Sequence, residues 1–234
     1  MKALLLRVGI DKGTDGALGP IFHDGSFEFI PISEGDSKSK EDRAYKNTVG
    51  RGGTPLSIYL PKRIEDRRMH FDPEFATFTY GDPTSKRAYL LKLEKGDMLV
   101  FYAGLSPYQT NKYKTALYLI GYFAVDKIID FNKLSKEEIN ECYNLYPANA
   151  HLKRSYDTRG LVIIVGNKNQ SKLLNKAILV SELKSDKRGR QYQGVSKDME
   201  KLLGIAGSIQ RSIPPRFIYG GIHLSNLKEI LKST

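Results

Sequence analysis

The densest group of chemically capable side chains lies in MHFDPEF (69–75) and in TFTYGDP (77–83), which follows it. Side chains of an extended segment alternate in direction, so His70, Asp72 and Glu74 are expected on one side, with Pro73 loosening the regularity. An imidazole and two carboxylates within reach of one another suit a divalent metal, or a general acid paired with a base. His70, Asp72 and Asp82 are the candidate catalytic residues, and Tyr80, beside the Gly81-Asp82 turn, is a candidate substrate contact. If a divalent metal is the cofactor, His70, Asp72 and Glu74 are its expected ligands. The competing expectation is structural: Asp72 and Glu74 cap a helix or pair with Arg67 and Arg68.

Three further clusters follow. YPANAHLKR (146–154) joins Asn149, His151, Lys153 and Arg154, an amide, an imidazole and two cations. Asn149, His151 and Arg154 could hold a base edge and its phosphate, or His151 could satisfy the carbonyls at a helix end. Arg7, Asp11, Asp15, His23 and Asp24 lie on the first strand and its loop, where Arg7 and Asp11 are candidate substrate contacts and the other acids suit turns. KSDKRGRQYQG (184–194) sets four cations beside Tyr192; Lys187, Arg188 and Arg190 are candidate nucleic-acid backbone contacts, or else a solvated hairpin tip. His223 reads as an ordinary buried histidine. Dinucleotide and triphosphate loops, GxSxG, HExxH and CxxC are all absent.

The elements that must position these groups read as α+β. KALLLRVG (2–9) is a buried strand, GIDKGTDGALGPIFHDGS (9–26) a turn-rich loop with five glycines, and FEFIPI (27–32) a second strand. Residues 33–54 are polar and Gly-rich, as in a mobile loop or lid. MLVFYAG (98–104), ALYLIGYFAVDKII (116–129), LVIIVG (161–166), AILVS (177–181) and RFIYGG (216–221) read as strands, with Gly121 marking a bulge or a close backbone approach. Ser135-Lys-Glu-Glu138 is a capping box, opening a helix whose spaced residues are Ile139, Cys142, Tyr143 and Tyr146. Ser196 and Ser225 are expected N-caps of two more helices. The order is no strict βαβα alternation, so the expected fold is one unit with a mixed, mostly antiparallel sheet, barrel-like in closure, and a few flanking helices.

Composition limits the partners. The chain of 234 residues carries 37 Lys and Arg against 26 Asp and Glu. Residues 151–234 hold sixteen of the cations and six of the acids, so nearly all of the +11 surplus is in the last third. A one-sided basic field attracts polyanions, so nucleic acid, with DNA favoured, or a nucleotide is the expected partner. A Lys-rich solvated surface is the competing account. No apolar run approaches the length of a membrane span, and the single cysteine, Cys142, permits neither an internal disulfide nor a thiolate zinc cluster. A cytoplasmic protein without a membrane partner is expected.

Taken in order, these segments resemble one family. LLLRVGIDKGTDGALGPIFHDGSFEFIPI (4–32) is similar to the opening of the nucleotide modification associated domain 3 family: a strand with a basic residue, a Gly-Ile-Asp step and a Gly-rich loop ending in Pro-Ile. His70, Asp72, Pro73 and Glu74 match its His-x-Asp-Pro-acid step. KGDMLVFYAG (95–104) and YLIGYFAVDKII (118–129) resemble its two central strands, and PANAHLKR (147–154) its Pro-x-His segment with two extra residues before His151. The likeness runs over about residues 1–166 and implies an association with systems that handle hypermodified DNA bases. Three functions are compatible with it: a nucleic-acid or nucleotide-binding protein; an enzyme that modifies a base, excises it or cleaves a phosphodiester through His70 and Asp72; and a non-catalytic, barrel-like reader of modified bases.

Overall fold

An apolar run without alternation must be buried on both faces of its sheet. Ala3, Leu4, Leu5 and Leu6 form such a run, and none of them is exposed. The computed structural model describes residues 1–154 and 157–232. Its elements in chain order are β1 (Lys2–Arg7), β2 (Gly19–Ile21), β3 (Ile32–Ser33), β4 (Met69–His70), β5 (Thr79–Asp82), α1 (Arg87–Leu90), β6 (Met98–Pro107) and β7 (Ala116–Asp130). There follow α2 (Lys136–Leu145), β8 (Val162–Gly166), β9 (Lys172–Leu179), β10 (Ser181–Ser185), β11 (Gln191–Val195), α3 (Lys197–Leu203), β12 (Arg216–Tyr219) and α4 (Ile222–Lys232).

The main sheet runs β12-β1-β6-β7-β8-β5, with β2 also beside β6 and β9 also beside β7. Only β1 and β2 lie parallel to β6; the other pairs are antiparallel. The α+β class holds, but the expected barrel-like closure does not form. Its terminal strands, β12 and β5, have four residues each and pair only with β1 and β8, so the sheet stays open. The basic last third shares this sheet through β8, β9 and β12.

β7 is long enough to serve several partners in succession. β6 and β9 pair with its first half and β8 with its second. Its register slips between Leu119 and Gly121. A Cβ at Gly121 would lie 2.7 Å from the Lys172 carbonyl and 2.7 Å from the Phe75 ring, so both readings of that glycine hold. α2 opens with the expected capping box, although only Cys142 of its apolar residues is buried and Tyr143 is exposed. Ser196 caps α3 as expected. Ser225 is no cap: α4 begins at Ile222, just after Gly221 with φ 85°.

FEFIPI is mostly not a strand, because its polar groups are used elsewhere. The Glu28 carboxylate accepts the Arg51 and Gly52 amides, Glu28 N donates to the Pro20 carbonyl, Pro31 has no N–H, and pairing is limited to a single Phe27–Ile21 bridge and to Ile32–Ser33 with β4. Beyond Ser33, which closes β3, residues 34–54 form no helix or named strand, yet the segment does not hang free as a lid would. Tyr45 is fully buried with Ile10, Ile30, Leu56, Ile64 and Met69 in a second apolar cluster. The Arg68 guanidinium donates to the carbonyls of Ser37 (2.7 Å) and Ser39 (2.5 Å), so it serves this segment and not Asp72. Lys40 N donates to the Lys153 carbonyl at 2.8 Å, joining the segment to the turn that carries His151.

Gly121→Ala should destabilise the protein by about 1–3 kcal/mol, the usual cost of forcing atoms into a filled site. Urea unfolding would show a lower midpoint with an unchanged slope; an unchanged midpoint would mean that the β7 bulge can move aside.

Candidate functional site

His70 stands on β4, which β3 holds by antiparallel pairing of Ile32 with His70. Its side chain is 5% exposed, and its Nδ1 lies 2.9 Å from Glu34 Oε2. A carboxylate can only accept, so Nδ1 is the donor and the neutral ring turns its Nε2 lone pair the other way. Burial lowers the His70 pKa and the Glu34 bond opposes it, so the ring stays neutral at neutral pH. Glu34 also accepts from Arg154 Nε (2.9 Å) and Nη2 (2.7 Å). Burial alone would raise its carboxyl, but the bonds from His70 and Arg154 outweigh that and hold it at about 2.

His70 Nε2 faces His151 Nε2 at 3.3 Å, with the rings edge to face at 4.7 Å between centroids. Asp72 Oδ2 lies 3.4 Å from the same His151 nitrogen, while Oδ1 accepts the Gly81 amide at 2.9 Å. One atom from each of the three groups fits within 4.8 Å of the others. Two features place His151. Asn149, fully buried, accepts the His151 amide at 3.0 Å and donates to Thr79 Oγ1 at 3.2 Å. Leu152 is sunk in an apolar cluster with Phe131, Cys142, Leu161 and Ile163. Gly81 leaves room for the ring: a Cβ there would stand 2.6 Å from His151 Cδ2.

These groups form one end of a cavity of about 200 Å³, whose other walls include Tyr80, Asp82, Lys86 and Arg7. Asp82 accepts from Tyr80 Oη (3.1 Å) and from Thr84 N (2.7 Å) and Oγ1 (2.5 Å). Burial, with the Asp72 and Asp82 charges, raises the Tyr80 phenol and keeps it a donor. Burial lowers the Lys86 ammonium, and Asp82 at 3.9 Å opposes that.

Arg7 leaves the end of β1 8% exposed, and its Nε and Nη1 are buried with no hydrogen-bond partner among the described residues. Burial and the nearby Arg211 charge draw its pKa down to about 10, which leaves it protonated at neutral pH. Arg211 is held by the Asp11 carboxylate and the Gly9 carbonyl. Both guanidinium groups also line an adjoining cavity of about 330 Å³, with Asp11, Leu18 and Gln193. Arg7 and Arg211 therefore stand where the two cavities meet.

The structure thus gathers His70, Asp72, Tyr80, Asp82, His151, Arg154 and Arg7 round one space, with Asp11 in the adjoining one. Two expected site residues are not there. The chain turns at the cis Asp72–Pro73 bond, and Glu74 caps the following turn by accepting the amides of Ala76 (2.8 Å) and Thr77 (2.7 Å), so it is no metal ligand beside His70. Asn149, fully buried, supports His151 from behind and lines neither cavity. Asp15 is spent on Ser33, Asp24 on Ser26, and His23 lies near Thr110 on the surface. His223 faces the Leu202 carbonyl. Lys187, Arg188 and Arg190 sit at the exposed tip between β10 and β11, where Arg190 pairs with Asp186 at 2.8 Å. Glu34, Lys86 and Arg211 escape the sequence reading, because nothing in the local sequence but its charge sets each apart.

A family model described as nucleotide modification associated domain 3 matches residues 2–202, a span that contains every group of the cleft except Arg211. Neither the curated proteins nor the solved structures contain a match to the chain. No described helix is long and apolar enough to cross a membrane.

Glu41 fastens the His151 turn from the other side through Lys153 Nζ at 2.8 Å, and accepts from Arg43 Nε of its own segment at 2.7 Å. Burial opposes its ionisation, but the bonds from Arg43 and Lys153 hold its carboxyl at about 2, against an ordinary 4.5. A depressed folded pKa contributes stability that is complete above the unfolded value and fades as pH falls towards the folded one. The thermal midpoint should therefore drop on acidification from about 4.5 towards 2. Glu41→Gln should start lower at neutral pH and lose less over the same interval; parallel curves for the two proteins would show that this charge contributes nothing.

Proposed function

We propose that this chain, which belongs to the nucleotide modification associated domain 3 family, binds a phosphorylated nucleotide, with the phosphate against Arg7 and Arg211 and the base and sugar towards His70, Asp72 and His151. The observation that carries this reading is the Arg7 guanidinium, charged, nine-tenths buried and with two nitrogens unpartnered among the described residues. Burying an unpaired cation beside another cation costs several kcal/mol. An anion arriving from solution removes that cost, and the planar guanidinium fork matches two phosphate oxygens at once. The two adjoining cavities together reach the usual size of a small-ligand site. The family's association with nucleotide modification agrees with a nucleotide as the anion.

Catalysis on the bound nucleotide is a second reading, supported by one feature: His151 Nε2 stands between Asp72 Oδ2 and His70 Nε2. A proton on that nitrogen has an acceptor on either side, as general acid–base chemistry requires. Asp82 and Tyr80 on the opposite wall would orient the base and not transfer protons, since Tyr80 donates to Asp82 and Asp82 also accepts from Thr84.

Whether the nucleotide is free or part of a strand turns on the β10–β11 hairpin. Gln193 at its inner end lines the second cavity, and its cationic tip is exposed. A strand leaving the cleft past Arg211 would run along it.

Two measurements test these readings. Arg7→Met should weaken binding of deoxynucleoside 5′-monophosphates about 10–100-fold, the worth of a charge-assisted hydrogen bond, while the thermal midpoint holds or rises. Unchanged affinity, or a large loss of stability, would remove Arg7 as the phosphate anchor. Replacing Lys187, Arg188 and Arg190 together with Gln should flatten the salt dependence of single-stranded DNA binding, whose log–log slope is about −0.7 per phosphate neutralised. An unaltered slope would confine the ligand to a free nucleotide.

A further inference from the structure

We propose that His70, Asp72 and His151 form a binding site for one divalent first-row transition ion. The site lies where the nucleotide reading places the base and sugar, but its evidence is separate, since it uses neither Arg7 nor Arg211. Distances carry the inference. His151 Nε2 lies 3.3 Å from His70 Nε2 and 3.4 Å from Asp72 Oδ2. Those are long for hydrogen bonds to a carboxylate or between imidazoles, which settle at about 2.7–3.0 Å. They match the separation of two ligands on one ion: donors at about 2.0–2.1 Å and a tetrahedral angle stand about 3.3–3.4 Å apart.

The donor atoms are prepared for an ion. His70 gives its Nδ1 proton to Glu34, so its Nε2 lone pair faces inwards, in the carboxylate–histidine arrangement that supports metal ligands. Glu34 is itself fixed by Arg154. Asp72 commits Oδ1 to the Gly81 amide and leaves Oδ2 towards His151. Asn149, Leu152 and Gly81 fix the His151 ring with its Nε2 on the same point. All three side chains are nine-tenths buried or nearly so, yet they line the cavity and are reachable from it.

Ligand chemistry decides the class of ion. Two imidazoles and one carboxylate suit zinc, iron, cobalt, nickel or manganese; magnesium and calcium prefer all-oxygen sets. Three protein ligands leave at least one position open towards the cavity, as in metal sites that take a water or substrate oxygen. The structure therefore assigns His151 the third place expected of Glu74, whose oxygens are used by the 76–77 turn.

The test uses the full chain, stripped with chelator and titrated with Co²⁺. One equivalent should bind with a visible ligand-field absorption, be displaced by Zn²⁺ and be unaffected by an equal concentration of Mg²⁺. His151→Gln and Asp72→Asn should lose the absorption while keeping the metal-free thermal midpoint within a few degrees. Glu34→Gln should weaken binding about 10–100-fold, the usual effect of removing a partner that orients a ligand. His23→Asn and His223→Asn should bind as the wild type does. If a ligand variant does not fold, the wild-type protein still decides: bound Co²⁺ should shift the imidazole proton resonances of His70 and His151 and leave those of His23 and His223 in place. Absence of stoichiometric binding, binding that survives loss of Asp72 or His151, or shifts at His23 or His223 instead, would overturn the site.

Discussion

The cleft depends on Glu34 keeping its charge. This carboxylate is 1% exposed and belongs to a segment with no helix or long strand, yet it binds His70 on β4 and Arg154 beyond α2. Three stretches of chain, separated by 36 and 84 residues, are tied at one pair of oxygens. A buried carboxylate survives only if its partners exceed its lost hydration, and here an imidazole N–H and a bidentate-capable guanidinium do so. Protonating it would release Arg154 and leave His70 free to turn. The neighbouring Glu41 repeats the device with Arg43 and Lys153, so the turn carrying His151 is clamped by two ionised acids.

On the opposite wall the logic reverses. Arg7 is delivered by β1, whose Leu4, Leu5 and Leu6 are too deeply packed to let it move outwards. β1 runs parallel to β6, so Arg7, Val8 and Gly9 emerge at the carboxyl end of a parallel pair, where ligand crevices of mixed sheets tend to lie. Asp11 is near enough to help, but its carboxylate is taken by Arg211. The cleft therefore has one wall where each charge is matched and another where a charge is left over. Stability alone explains the first and not the second.

The sequence made the framework legible and left much of the site hidden, for definable reasons. The apolar runs of β1, β6, β7 and β8 and the Ser135–Glu138 capping box depend on local composition, so they emerged where spacing placed them. FEFIPI had strand composition, but its backbone is spent on loop partners, Glu28 N on the Pro20 carbonyl and the Ile30 carbonyl on Ile10 N, and Pro31 has no N–H. His70 and Asp72 were visible because they are two residues apart; Glu74 seemed to belong with them only while the chain was imagined straight. His151 is 81 residues from His70 in sequence, and Arg211 lies 204 residues from Arg7. Nothing local encodes such pairs. They are set by the pairing of β5 with β8 and by loops whose hydrogen bonds are tertiary.

These two walls also constrain one another. An ion at His70, Asp72 and His151 would add positive charge beside Arg7, Lys86 and Arg211, in a space where Asp72, Asp82 and Asp11 are the available acids. Asp82 is largely consumed by Tyr80 and Thr84, and Asp11 by Arg211. The occupied cleft would then carry a net positive field in a medium that screens poorly, and an anionic ligand would be attracted by ion and guanidinium together. Cation and anion should accordingly bind with positive coupling, each raising the other's affinity by the same factor. That reciprocity would give the leftover charge on Arg7 a physical purpose under the proposed reading: it would hold the ligand's phosphate at one end while the ion met its base or sugar at the other.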